Sequence, residues 1–416
     1  MKKLLFQANC FAAFRENSTN RSGIYFAAVN LLKELAADGR FSLTLYADHE
    51  HYEAVKVFRD SMYPELELIT VGDRGLRKAF AAVWDRNREA SGLWHRCLRR
   101  GSRETFRLLG RLSKRRDGRI FRPYQICFSV SDPFPMAAHR LKSLSYVTVI
   151  HDLIPFVMPE GKLPRDYWLF RVLRERQPED YYVCISECTK RDLLRCCPEI
   201  PEAHILVNYN GVSEDFAPTG PEETDRVLPR YGLTRDKYVF SIGNLMPHKN
   251  QERQMRAFRQ FIEREQLEDI VYAAAGSAAG GALPGSLNGE EKTSPIRFLG
   301  YVPDADLNAL YSGALFCSFT SLYEGFGFPA AEAMRCGCPL VSSSTSSLPE
   351  VCGEAALLVD PQDEEAHVEA YTRLYRDKAL RDRLKEKGRE QVSRFTWPIC
   401  AGRLMDFLEE HTHAAT

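Results

Sequence analysis

What this 416-residue chain lacks narrows its function first. It has no net charge, because 56 Lys and Arg balance 56 Asp and Glu. Such a chain carries no overall basic footprint for nucleic acid, and nucleic acid is not expected as a partner. No apolar run approaches the ~18 residues of a membrane span. The opening Met1-Lys-Lys-Leu-Leu-Phe starts like a secretory leader. Gln7 and Asn9 then break the run before an apolar core of leader length has formed. Twelve cysteines are present, but neither Cys184/Cys188/Cys196/Cys197 nor Cys336/Cys338 has the paired C-x-x-C spacing of a zinc site. In a chain this long they do not look like a disulfide framework. Cys127, Cys184 and Cys317 lie in apolar runs, where a reduced thiol acts as a small hydrophobe. A reducing cytoplasm is the expected compartment.

The length suits two domains. Lys3 to Ala8 has the pattern of a buried strand, Ile24 to Ala36 that of an amphipathic helix, and Phe41 to Tyr46 that of a second strand. Strand, loop, helix and strand in that order open a doubly wound α/β domain. Strands are expected again at Tyr124 to Val130, Ser145 to Ile150 and Tyr181 to Ser186. Ser213 to Pro229 is polar and proline-rich and is expected to be a linker. A second alternation of strands and helices starts at Tyr238. The expected domains are therefore 1–213, 214–395 and a final helical segment 396–416.

The first domain carries a basic insertion, 74–122, with 16 Lys and Arg against 4 Asp and Glu. Apolar residues recur in it at helical spacing, among them Phe80, Trp84, Trp94 and Phe106. Basic amphipathic helices of this kind lie on an anionic membrane surface or receive an anionic acceptor. The plainer reading is that the apolar face packs on its own domain.

The stretch Leu322-Tyr-Glu-Gly-Phe-Gly-Phe-Pro-Ala-Ala-Glu-Ala-Met334 carries the densest chemistry. Pro329 fits the first position of a helix, which places Glu332 in or near its first turn and leaves Glu324 in the loop. Gly325 and Gly327 allow close backbone approach, and free N–H groups at a helix start favour an anion. Gly243 to Lys249 repeats the strand, glycine, loop and helix order, with Lys249 available as a point charge for a diphosphate. His151 ends a strand of the first domain, where a residue faces the ligand crevice of an open sheet. Its usual pKa suits hydrogen bonding or proton handling near neutral pH. Gly23 lies in the first strand-to-helix loop. Asp304-Ala-Asp306 has a D-x-D form, but it directly precedes a helix, so Asp304 is expected to be an N-cap rather than a metal ligand.

These pieces carry a resemblance. Gly243-Asn-Leu-Met-Pro-His-Lys-Asn250, Phe298-Leu-Gly-Tyr-Val302, Leu307 to Ala314, Tyr323 to Met334 and Leu348-Pro-Glu-Val351 together resemble glycosyltransferase family 4. The first half resembles it more loosely, through Gly23-Ile24, His151-Asp152, Ser186 and Asn210-Gly211-Val212, and the basic insertion is not covered. The resemblance implies a GT-B fold, with two Rossmann-like domains facing each other across a cleft and a last helix crossing back to the first. It implies a retaining hexosyl transfer from a UDP- or GDP-linked sugar to a glycan or lipid-linked acceptor in surface polysaccharide or glycoconjugate synthesis. It further implies that no cofactor or metal is needed, and that the enzyme would work in the cytoplasm or at the inner membrane face. By the same resemblance His151, Glu324 and Lys249 are candidate catalytic residues. Gly23, Asn244, Lys249, Gly325, Phe326, Gly327, Phe328 and Glu332 are the candidate donor-binding residues. Glu332 would hold the ribose, Glu324 and the backbone of Phe326 and Gly327 the sugar hydroxyls, Lys249 the diphosphate, and His151 the transferred sugar. Asn244 departs from the pattern, since many members have Arg there. Lys249, His248, loop amides or Arg21 would then carry the leaving group. An epimerase of the same fold, or a non-catalytic subunit, are the alternatives.

Overall fold

The computed structural model describes residues 1–14, 23–48, 50–70, 101, 120–133, 141, 143–158, 168–276 and 294–411. Nearly all of the basic insertion 74–122 lies outside the described residues, as does Arg21.

Two parallel sheets organise the rest. The first contains β1 (Lys2–Gln7), β2 (Phe41–Tyr46), β3 (Glu67–Ile69), β4 (Ile126–Ser129), β5 (Ser145–Ile150), β6 (Tyr181–Cys184) and β7 (Ile205–Val207), in the order β3-β2-β1-β4-β5-β6-β7. The second contains β8 (Tyr238–Ile242), β9 (Val271–Ala275), β10 (Ile296–Gly300), β11 (Phe316–Phe319), β12 (Leu340–Ser343) and β13 (Ala356–Val359), in the order β10-β9-β8-β11-β12-β13. Their composition explains the geometry. All six residues of β5, Ser-Tyr-Val-Thr-Val-Ile, are buried. A strand rich in β-branched residues and covered on both faces belongs in a parallel sheet flanked by helices. The helix Gly23–Asp38 supplies such a cover, with Tyr25, Ala27, Ala28, Leu31, Leu32 and Leu35 buried on one side.

Each sheet reverses its strand order once, between β1 and β4 in the first and between β8 and β11 in the second. The loops leaving the carboxyl ends of strands at such a reversal form the ligand crevice of an open α/β sheet. In the second sheet those loops hold Gly243 to Lys249 and Thr320 to Gly327.

The helix Trp397–Glu410 follows the second sheet in the chain but packs on the first domain, against the helix Gly23–Asp38. Asn208 Nδ2 donates to the Cys400 carbonyl at 2.9 Å, Ser145 Oγ to that of His411 at 3.2 Å, and Lys2 Nζ to that of Glu409 at 2.9 Å. Beside this helix the two connections between the domains touch, with Val212 N–H donating to the Phe395 carbonyl at 2.9 Å.

One sequence expectation needs correction here. The polar stretch 213–229 contains a helix, Pro221–Val227, followed by a 3-10 turn, Leu228–Tyr231. Pro221 and Pro229 stand at element starts, where a proline favours rather than breaks a helix. Thr224, Val227 and Leu228 are buried, so the segment is packed.

A Cβ added at Gly211 would lie 2.4 Å from the Trp397 backbone nitrogen. Backbone on both sides leaves nothing free to move. Gly211→Ala is therefore expected to cost about 2 kcal/mol or more, seen as a lower melting temperature than the wild type in thermal unfolding.

Candidate active site

The loop Thr320 to Gly327 is held from three directions. Leu322 N–H donates to the His248 carbonyl at 2.7 Å, tying it to the Lys249 loop. Glu324 N–H donates to Ser346 Oγ at 3.1 Å. Ser347 Oγ reaches the carbonyls of Glu324 and Phe326, at 2.9 and 3.1 Å. These bonds occupy the N–H groups of Leu322 and Glu324 and the carbonyls of Glu324 and Phe326. The N–H groups of Gly325, Phe326, Gly327 and Phe328 have no hydrogen-bond partner among the described residues. Gly327, at φ +97°, is the N-cap of the helix Phe328–Arg335. A left-handed residue at this point lets successive amides point the same way, the arrangement that holds an anion.

The helix starts one residue before Pro329, and Glu332 is its fifth residue, just past the first turn. Glu332 Oε2 accepts the Tyr311 hydroxyl at 2.9 Å. Its surroundings push its carboxyl up to about 7 by desolvation, against which the Tyr311 bond acts. Sequence reasoning missed Tyr311 as a site residue, although it lies in the quoted segment Leu307 to Ala314.

Lys249 and Glu324 meet. Lys249 Nζ lies 2.7 and 2.9 Å from the two Glu324 carboxylate oxygens, in a pair that is mostly shielded from solvent. The Lys249 loop is fixed from behind by Asn250, in the left-handed region at φ +57°, whose Nδ2 donates to the carbonyls of Thr320 and Pro361. Asn244, on the same loop, is exposed.

The first domain closes the other side. A Cβ at Gly325 would lie 1.8 Å from the His151 carbonyl oxygen and 3.2 Å from Asp152 Cβ. One at Gly23 would touch the Phe328 ring at 3.4 Å. Gly325 thus marks a point where the domains meet with no room for a side chain. His151 is buried, and its Nε2 lies 2.8 Å from the Val130 carbonyl. A carbonyl can only accept, so Nε2 carries the proton and Nδ1 is left as an acceptor. Burial lowers the His151 pKa to about 4, which corrects the expectation of proton handling near neutral pH. At pH 7 it is a neutral, fixed imidazole. Burial raises the Asp152 pKa, with the charge of Glu324 adding to it.

Asp304 also differs from expectation. The N-cap of the helix Asp304–Gly313 is Pro303, and Asp304 is its first residue. Asp306 accepts the Tyr231 hydroxyl at 2.6 Å and is bridged by Arg230, so the D-x-D carboxylate is tied down inside its own domain. No cluster of three or more His, Cys, Asp or Glu suited to a metal occurs among the described residues. No helix among them is long and apolar enough to cross a membrane.

Comparison with known proteins identifies this arrangement. Residues 227–391 match the model of the glycosyl transferases group 1. The chain is 31% identical over 266 residues to the O-antigen chain mannosyltransferase B of Escherichia coli, covering 63% of this chain and 69% of that protein. The chain belongs to the group 1 glycosyl transferases. It is also 30% identical over 271 residues to the serotype-specific mannosyltransferase WbdA of E. coli, covering 62% of this chain but only 33% of that longer protein. Among solved structures, Anabaena Alr3699/HepE in complex with UDP and glucose superposes with a TM-score of 0.67 over 99% of this chain and 100% of that one, at 16% identity. At that identity the likeness is one of fold, and the fold is GT-B, as the sequence resemblance implied. As a group 1 member this chain is a glycosyltransferase.

Two outcomes follow from the geometry. Glu332 binds a proton more tightly in the native protein than in the unfolded chain. Its ionisation therefore costs stability as pH rises from about 4.5 through about 7. Glu332→Gln is expected to flatten that slope by on the order of 1–3 kcal/mol, read from urea midpoints across the range. Gly325→Ala is expected to hold the domains apart and lower kcat/KM by ~10²-fold, with a melting temperature near that of the wild type.

Proposed function

We propose that this glycosyltransferase moves a hexose, of the mannose kind in view of its E. coli relatives, from a UDP- or GDP-linked donor onto a growing surface polysaccharide. Configuration is retained, and no metal takes part. The observation that carries the reading is the Lys249–Glu324 pair beside four loop amides that have no partner among the described residues, facing His151 across the Gly325 contact.

The roles follow from the chemistry of each group. The amides of Gly325 to Phe328 and the Lys249 ammonium receive the diphosphate and stabilise the charge it gains as the leaving group. Binding of that anion draws Lys249 from Glu324, which frees the Glu324 carboxylate to accept sugar hydroxyls. Glu332 accepts the ribose hydroxyls. His151, neutral and held through Nε2, accepts a hydroxyl of the transferred sugar at Nδ1 and orients it without exchanging a proton. Asn244 supplies no charge, so Lys249 and the amides carry the leaving group. Gly23 lets the first-domain helix come up against Phe328. The acceptor hydroxyl enters from the first domain and attacks the face that the diphosphate leaves. A substitution on one face needs no protein nucleophile. The acceptor is a glycan or lipid-linked saccharide at the inner face of the membrane, and the basic segment 74–122 suits an anionic carrier or surface.

The test is nucleotide release from a panel of UDP-, GDP- and ADP-hexoses, with and without a mannose-ended oligosaccharide acceptor. A UDP- or GDP-hexose is expected to turn over with the acceptor present and in the presence of EDTA. Binding of no nucleotide sugar in the panel would sink the reading, and activity that disappears with EDTA would sink its metal-free part.

A further inference from the structure

The helix Glu187–Cys196 of the first domain begins with an unusual division of labour. Ser186, its N-cap, accepts the Thr189 N–H at 3.0 Å. The N–H groups of Glu187 and Cys188 are satisfied by the other domain. Glu350 takes both, with Oε2 at 2.8 Å from Glu187 N and Oε1 at 2.9 Å from Cys188 N. Its Oε2 also accepts the Tyr209 hydroxyl at 2.8 Å, from the connection between the domains. On the same helix, Asp192 Oδ2 accepts the Tyr323 hydroxyl at 2.6 Å.

Both second-domain residues in these contacts adjoin the donor loop. Tyr323 directly precedes Glu324. Glu350 lies on the helix Leu348–Cys352, which follows Ser346 and Ser347, the residues that bind the backbone of Glu324 and Phe326. A carboxylate spanning two N–H groups at a helix start is a charge-assisted contact favoured by the helix dipole, and its two parallel bonds fix direction as well as distance. A solvated surface ion pair does neither.

We propose that Glu350 and Asp192 form a closure latch: positioning residues through which the first-domain helix Glu187–Cys196 draws the second domain shut and holds the loop Tyr323 to Gly327 in its working shape. Neither residue belongs to the group assigned to the donor, all of which except Gly23 and His151 lies in the second domain. The catalytic consequence rests on the glycosyltransferase reading, whereas the geometric one does not. Loss of the latch leaves the donor bound but the acceptor side unassembled, so it acts on turnover more than on affinity.

The test uses the full chain with Glu350→Ala, Glu350→Gln, Asp192→Ala and Tyr323→Phe, and with Glu187→Gln as a control. Small-angle X-ray scattering, with and without UDP or GDP, reads closure independently of turnover. Glu350→Ala is expected to give a larger particle with nucleotide bound than the wild type does. Its kcat is expected to fall ~10–100-fold while its nucleotide Kd stays within about threefold. Glu350→Gln, which keeps one accepting oxygen, is expected to lie between the two, and Glu187→Gln, which leaves the backbone N–H in place, to match the wild type. Wild-type scattering and kcat in Glu350→Ala would overturn the proposal. So would a kcat loss that tracks a falling melting temperature across the four variants with no change in particle size. If the wild type turns over no nucleotide sugar, the functional reading fails while scattering still decides the latch.

Discussion

The rest of this molecule depends on one close approach, the Gly325 Cα against the His151 carbonyl. Neither sheet makes a site by itself. The second presents amides, a lysine and two carboxylates, and the first presents a neutral imidazole and an aspartate at the end of β5. Only a residue without Cβ lets the strand ends face each other at that range. The Lys249–Glu324 pair, the serines behind the loop and the Asn250 brace all serve to keep this edge in place. A partly buried ion pair gains little net stability, because desolvating two charges offsets their attraction. Here its value lies in position, since each partner is held where an incoming anion or hydroxyl can compete for it.

Much of this was legible in the sequence, for identifiable reasons. The bounds of β5 are those expected from the sequence, because a continuous β-branched run of that length has one solution. Placing Lys249 and the Glu324 loop at one ligand needs only that both join a strand to a helix in the same α/β domain, where such folds bind ligands. The helix Tyr52–Met62 and β3 were not foreseen, being short elements whose patterns compete with the basic stretch that follows. In 213–229 a polar, proline-rich composition suits a linker and a helix start equally well, and Pro221 and Pro229 prove to be helix starts.

The misses within the site share a cause. Burial sets the behaviour of His151 and Glu332, moving one to about 4 and the other to about 7. Nothing in the local sequence distinguishes a solvated histidine from one whose ring nitrogen is committed to the Val130 carbonyl. The cross-domain contacts are of the same kind. Glu350 with Glu187, and Tyr323 with Asp192, join residues more than a hundred positions apart. Their residue types carry no mark of the partner, so only the packed molecule brings them together.

The helix Trp397–Glu410 has a consequence for how the protein comes into being. It completes a surface of the first domain whose first strand was made 407 positions earlier, as the bond from Lys2 to the Glu409 carbonyl measures. On the ribosome the first domain emerges with the helix Gly23–Asp38 uncovered, and it stays so through synthesis of the entire second domain. Domains usually mature in the order of translation, but here the earlier one is finished last. The second domain therefore folds beside a neighbour that still has an open apolar face, and docking of the last helix seals both. A chimera that replaces the second domain must carry this helix with the first, because in space it is part of that domain.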